Sequence, residues 1–205
     1  MNKLLLSLTM LSLCVSASFA GFISVTQSNN ASSLVSTIAG NGITTSNANL
    51  TGNAGRYSNA SSESQGNTYL QSGVVLSSGS SLSLNTNGVN TLPSKSTVLN
   101  IPGDPDLNTL ISSIYTTFDA SVLEFDFEAA GTTGSSVTCS FWYVFGSEEY
   151  NEWVNTDYCD VFGFFLDGSN VALIPETSIP VSVNTVNLTA NSSFYNNNEN
   201  NELLS

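Results

Sequence analysis

The stretch Val122-Leu123-Glu124-Phe125-Asp126-Phe127-Glu128 decides the fold class, because from Leu123 onward apolar and acidic residues alternate without a break. Successive side chains of a β-strand point to opposite faces. The pattern therefore predicts a strand with Leu123, Phe125 and Phe127 on a core and Glu124, Asp126 and Glu128 in water. Further apolar runs lie on either side, each bounded by turn residues. Val137 to Phe145 reads as a second strand, and Val161 to Leu166, almost wholly apolar, as a central one. Asp167-Gly168-Ser169-Asn170 predicts a hairpin turn into Val171 to Ile174, and Val181 to Val186 follows a loop bracketed by Pro175 and Pro180. Upstream, Val74-Val75-Leu76 between Gly73 and Ser77 reads as a buried strand. Helical signals are short. Residues 30–38 carry an Asn or Ser cap, place Leu34, Val35 and Ile38 on one face, and run into Gly40-Asn41-Gly42. After the turn Pro102-Gly103-Asp104-Pro105-Asp106, residues Leu107, Leu110, Ile111 and Ile114 recur at helical spacing, with Asp106 as the expected cap. The class expected is mainly β, a β-sandwich or jelly roll with one or two short helices.

The composition narrows what such a domain can do. The 205 residues suffice for one domain with a real core, or at most two small ones. Only 9% are charged, against about 25% in an ordinary domain. Three residues are basic, 16 are acidic and none is histidine, for a net charge of −13. Without histidine there is no Ser-His-Asp or Cys-His machinery and no imidazole ligand for zinc, copper or haem. With three cations the chain cannot displace counter-ions from a phosphate backbone, so nucleic acid is excluded as a partner.

The ends read as separate segments. Lys3 supplies a positive start, Leu4 to Val15 an apolar stretch too short to span a bilayer comfortably, and Ser18-Phe19-Ala20 a cleavage signal. Residues 1–20 are therefore expected to be a signal peptide, 21–195 a single β domain and 196–205 an asparagine-rich tail. The mature chain is expected to be secreted or displayed at the cell surface, with no transmembrane segment. It would keep Cys139 and Cys159 as its only cysteines. In an oxidising compartment the pair suggests one disulfide enclosing 19 residues, worth about 3 kcal/mol in the chain-entropy model. Two free buried thiols are the alternative, since sequence does not show whether the Cβ atoms face each other.

Twelve of the 16 acids fall between Asp104 and Asp167, and no Lys or Arg follows Lys95. Carboxylates gathered without cations repel one another unless hydrated, protonated or bridged by a metal. Many sit at turns, where hard oxygen ligands suit Ca²⁺. Asp104, Asp106, Glu148, Glu149 and Asp160 are the candidate ligands; a solvated acidic surface is the competing reading. Glu148 and Glu149 are adjacent and point opposite ways in extended backbone, so they cannot be the facing carboxylate pair of a glycosidase. Glu124 or Asp126 with Glu149 is an alternative pair that nothing in the spacing favours. Among the aromatics, Phe141, Tyr143 and Phe145 read as core, whereas Tyr150 and Trp153 are the candidate ligand-binding surface. Asn30, Asn49, Asn59, Asn187 and Asn191 each begin an N-glycosylation sequon.

Several blocks, in order, carry a resemblance. Gly40-Asn41-Gly42-Ile43-Thr44, Gly73-Val74-Val75-Leu76-Ser77-Ser78-Gly79, Pro102-Gly103-Asp104-Pro105-Asp106-Leu107 and Phe118-Asp119-Ala120-Ser121-Val122-Leu123 lead to two denser motifs. These are Phe145-Gly146-Ser147-Glu148-Glu149-Tyr150-Asn151-Glu152 and Asp160-Val161-Phe162-Gly163-Phe164-Phe165-Leu166. Together they resemble the choice-of-anchor L domain, a family of secreted and surface domains that precede various cell-surface anchors. The resemblance implies a β-rich extracellular module without an established catalytic role. Two departures accompany it: Cys159 stands where the family has a polar residue, and the family domain continues beyond the point reached at Tyr195, which implies a domain truncated at its C-terminus. The leading expectation is a non-enzymatic, calcium-stabilised module of adhesion or extracellular matrix, with an extracellular glycan, a protein ligand or the matrix itself as partner. A carbohydrate-binding module is the alternative, and a carboxylate glycosidase ranks behind both.

Overall fold

A computed structural model of the chain describes residues 6–8, 23–59, 72–85, 97–131, 137–195 and 197. Its elements, in chain order, are β1 (Leu6–Leu8), β2 (Ile23–Gln27), α1 (Ala31–Ile38), β3 (Ile43–Thr51), β4 (Asn53–Asn59) and β5 (Ser72–Ser77). There follow α2 (Pro105–Asn108), β6 (Val122–Ala129), β7 (Val137–Cys139), β8 (Val161–Phe162), β9 (Phe165–Leu166), β10 (Ser169–Asn170) and β11 (Val181–Ser182). The fold is mainly β, in several small sheets, as the alternation at Leu123 to Glu128 predicts. Of the segments read as a signal peptide and a tail, only Leu6–Leu8 and Asn197 lie within the described residues. Leu6–Leu8 runs parallel to β7.

The longest ladder joins β6 to β3, antiparallel from Ile43 opposite Ala129 to Thr51 opposite Val122. In β6 the expected alternation holds: Glu124, Asp126 and Glu128 are exposed, while Leu123, Phe125 and Phe127 are half-buried. β3 is mostly polar, with its apolar residues Ile43, Ala48 and Leu50 half-buried between exposed neighbours. A register shift between Ser46 and Asn49 is turned by Asn47 at φ 51°, a left-handed conformation that Asn tolerates better than most residues. Gly52, at φ 87°, then carries the chain from β3 into β4, with Ser121 so close that a Cβ would collide with it. The second sheet is β2-β4-β5, antiparallel throughout. β5 is one of its two edge strands, half-buried at Val74 and Val75 and exposed at Leu76, so the expectation of a buried strand there is corrected.

Helix α1 forms as its sequence predicts. The Asn30 side chain accepts from the Ser33 amide, capping the first turn. Leu34 and Val35 are wholly buried against the neighbouring strands, a burial worth about 1.5–3 kcal/mol for each side chain. The second helix is shorter than the spacing of Leu107 to Ile114 predicts, and its cap is Asp104, not Asp106. Asp104 Oδ1 accepts from the amides of Asp106 and Leu107, and Pro105 occupies the first helical position, where a missing N–H costs nothing. The helix stops at Asn108 because that side chain is diverted: its Oδ1 accepts from the Thr117 amide and hydroxyl, tying the returning chain to it. Gly103 sits against the Thr117 carbonyl, where no Cβ fits.

Beyond Gly131 the strands are short. The expected strand Val137 to Phe145 pairs only at Val137–Cys139, and Val161 to Leu166 is split at Gly163-Phe164 into β8 and β9. The hairpin forms where its turn predicts, β9 to β10, with Asp167 and Gly168 both at positive φ (48° and 77°) as a two-residue turn of this kind requires. β8 pairs with β11 instead of lying centrally in one large sheet. Rings fill the space between. Phe141 stacks on Phe164 at 4.5 Å and Tyr143 on Phe162 at 4.6 Å, which places the 141–145 segment on the β8–β9 strands as core. Ile174, Val181 and Val186 form a buried cluster against which Tyr143, Phe145, Phe194 and Tyr195 pack.

Candidate functional site: the acidic turns at 147–160

The segment Ser147 to Asp160 projects from this second core as successive turns, with no ladder of its own. Its backbone is held by side chains and by carbonyls of neighbouring turns. Ser147 Oγ donates to Asp160 Oδ2 at 2.7 Å and accepts from the Glu149 amide at 3.0 Å, clasping the two ends of the segment. The Tyr150 hydroxyl donates to the Val186 carbonyl, and its ring tilts onto Tyr195, 4.8 Å between centroids. Asn155, at φ 61°, donates its amide to Asn184 Oδ1. The Tyr115 hydroxyl reaches across from the 112–115 turn to the Thr156 carbonyl at 2.8 Å.

The carboxylates here are unequal. Glu148 and Glu152 are exposed, whereas Glu149 and Asp160 are half-buried. Glu149 is held above the usual carboxylate range, first by burial and then by the charges of Asp160, Glu152 and Glu148. That is the repulsion expected of acids gathered without a cation. The five-carboxylate calcium shell is not assembled, however. Among the described residues no three His, Cys, Asp or Glu side chains are grouped so as to hold a metal ion. Asp104 is committed to capping α2, and it lines with Glu124 a small cleft of about 160 Å³ beside Thr51, Pro102 and Val122. Asp106 is exposed in the first turn of that helix.

The aromatic surface differs from the expected one by a residue. Tyr150 is half-buried and anchored, as its bond to Val186 and its packing on Tyr195 show. Trp153 remains 42% exposed, and its companion is Tyr158, 56% exposed, with the rings meeting edge to face at 4.9 Å and 68°. Tyr158 belongs to the same run of aromatics, but five positions separate it from Trp153, a spacing that matches neither helix nor strand; only the turns between them bring the rings together.

The expected Cys139–Cys159 disulfide is not formed. Both cysteines are free and half-buried. Cys139 lies in β7, while Cys159 turns toward Ser182 and Asn184 of the β11 turn. Burial pushes the Cys159 thiol up, and Asp160 adds to this against the hydrogen bonds from that turn. Two of the sequons are also spent on structure. Asn187 is buried at 1% exposure and donates its Nδ2 to the Val183 carbonyl, while Asn191 Nδ2 donates to the Thr185 carbonyl. At Asn187 that burial closes the amide nitrogen to a glycan in the folded chain.

The fold and these turns define a mainly-β domain that carries an acidic turn segment on its surface. A family model described as the choice-of-anchor L domain matches residues 23–204, and the chain belongs to that family. Membership places it among surface or secreted modules. No curated protein and no solved structure matches it. Among the described residues no helix is long and apolar enough to cross a membrane.

Proposed function

We propose that the protein is a non-enzymatic adhesion or matrix module whose working surface is the acidic turn segment Ser147 to Asp160. The exposed Trp153–Tyr158 pair carries this reading: large rings left half in water on a segment pinned from several sides form a rigid contact surface. Membership in a family of surface or secreted modules supports it. The test is retention of the labelled full chain on extracellular matrix and on whole cells, run beside a panel of chromogenic glycosides. Retention without turnover is expected; turnover of any glycoside overturns the reading.

Calcium enters this proposal as a counter-ion to Glu148, Glu149, Glu152 and Asp160, not as the centre of a five-carboxylate shell. The support is electrostatic: charges that hold Glu149 up are relieved by a divalent cation nearby. Calcium at about 1 mM, in the range of weak extracellular sites, is expected to raise the melting temperature more than sodium at equal ionic strength. Glu149→Gln should remove most of that difference. Equal effects of the two salts would leave the acids as a hydrated surface.

A further inference from the structure

We propose that Trp153 and Tyr158 form a docking corner for a positively charged segment of a partner protein, whose arginine or lysine side chains lie on the two rings between Glu152 and Asp157. The inference rests on reading the protein as a binding module and names the chemistry of its partner. An exposed ring pair attracts sugars, prolines and cations alike, so its surroundings decide among them. Here each ring is preceded in sequence by an exposed carboxylate, Glu152 before Trp153 and Asp157 before Tyr158. The face of an aromatic ring is negative, and a cation placed over it gains both from the ring and from the flanking carboxylates. The rings meet at 68°, which makes a corner and not the flat shelf on which a sugar ring stacks.

The corner is fixed before any partner arrives. The Trp153 amide donates to the Glu149 carbonyl at 3.0 Å, the Thr156 hydroxyl donates to the Trp153 carbonyl at 2.6 Å, and the Tyr158 amide donates to Thr156 Oγ1 at 3.3 Å. Tyr115 and Asn184 hold the same turns from outside. A surface already ordered loses little conformational freedom on binding. Charge complementarity then selects the occupant. The chain carries three cations in all and none after Lys95, so the negative field of this region favours cations carried by another molecule.

The test is titration of the full chain with a short peptide of alternating glycine and arginine, and with its citrulline counterpart, which keeps the shape and loses the charge. The arginine peptide should bind and the citrulline peptide should not. Trp153→Ala and Tyr158→Ala should each weaken binding about two- to fivefold, the range of exposed cation–π contacts, with a cooperative thermal melt retained. Glu152→Gln combined with Asp157→Asn should weaken it similarly and flatten its salt dependence. Arginine-peptide binding indifferent to Trp153→Ala would reduce the effect to general attraction by an acidic chain and overturn the proposal. So would Trp153-dependent binding of a neutral oligosaccharide in place of the peptide. Matrix retention that survives Trp153→Ala would leave the surface-module reading standing and remove this site from it.

Discussion

Residues 23–131 and residues 137–195 solve the same problem by different means. In the first region backbone groups pair with backbone: β2-β4-β5 and β3–β6 are ladders of five to seven partnered residues, and α1 closes over them with Leu34 and Val35 fully buried. In the second, strands are two or three residues long, and the backbone is satisfied by short turn bonds together with Asn, Ser and Thr side chains. Asn187 shows the device. Its Oδ1 accepts from the Thr189 amide, the Thr189 hydroxyl and the Ala190 amide, while its Nδ2 donates to the Val183 carbonyl. Thr185 Oγ1 likewise accepts from the Ser182 amide and donates to the Pro180 carbonyl. A ladder fixes long straight elements. Side-chain bonds fix irregular backbone, and irregular backbone is what presents Trp153 and Tyr158 at a surface. The comparison teaches that the richness in polar residues, which on composition alone resembles filler, is the hydrogen-bonding framework of the second region.

The comparison can be broken by substitution. Leu34→Ala should cost the most, about 3–4 kcal/mol, because the helix buries that side chain wholly and a cavity remains; denaturant melts would show it. Asn187→Ala should cost about 2–3 kcal/mol, since it leaves a cavity at a buried site and takes the partner from the Val183 carbonyl and the Thr189 and Ala190 amides at once. A loss under about 0.5 kcal/mol, the level of an ordinary surface substitution, would mean that water replaces the side chain and that Asn187 is not the clamp described here. Glu176→Asn should act in the opposite direction. Glu176 holds φ 62°, while the other non-glycine residues at positive φ among the described residues are all Asn or Asp. Relieving it should stabilise by about 0.5–1 kcal/mol, read as a raised melting temperature.

The smallest effect is a tilt with pH. The carboxyl of Glu149 titrates higher in the folded chain than its ordinary value of 4.5, so the native state holds its proton longer than the unfolded one. Its contribution is therefore most favourable at and below pH 4.5 and is lost as pH rises from there through the raised folded value. Glu149→Gln should flatten the fall in stability above that point. A fall of unchanged slope would assign it to other carboxylates.

Sequence legibility cut across this division and followed how local each signal is along the chain. α1 was readable because Asn30, Leu34, Val35 and the following glycines all act within a few residues of one another. β6 was readable because alternation is a property of the strand itself, and the β9–β10 hairpin because Asp167-Gly168 encodes its own turn. The mostly polar β3 was not, since Ile43 and the pair Ala48 and Leu50 keep no single alternation across the shift between Ser46 and Asn49. Nor was the exchange of Asp106 for Asp104 as helix cap, where Pro105 decided the first helical position and Asn108, turned toward Thr117, ended the helix early.

By itself the sequence determined the mainly-β class, the family, the acidic character and the concentration of carboxylates between Asp104 and Asp167, because each is fixed by composition or by contacts local along the chain. Tertiary structure decided which of those carboxylates are neighbours, that Asp104 caps α2, that Cys139 and Cys159 are both free, and that Trp153 pairs with Tyr158 while Tyr150 is drawn onto Tyr195. The reason is physical. Turns held by side-chain bonds carry no period, so the direction in which each side chain leaves the backbone is set by partners many residues away, Tyr115 and Asn184 for the 147–160 segment, and only the folded chain brings those partners into place.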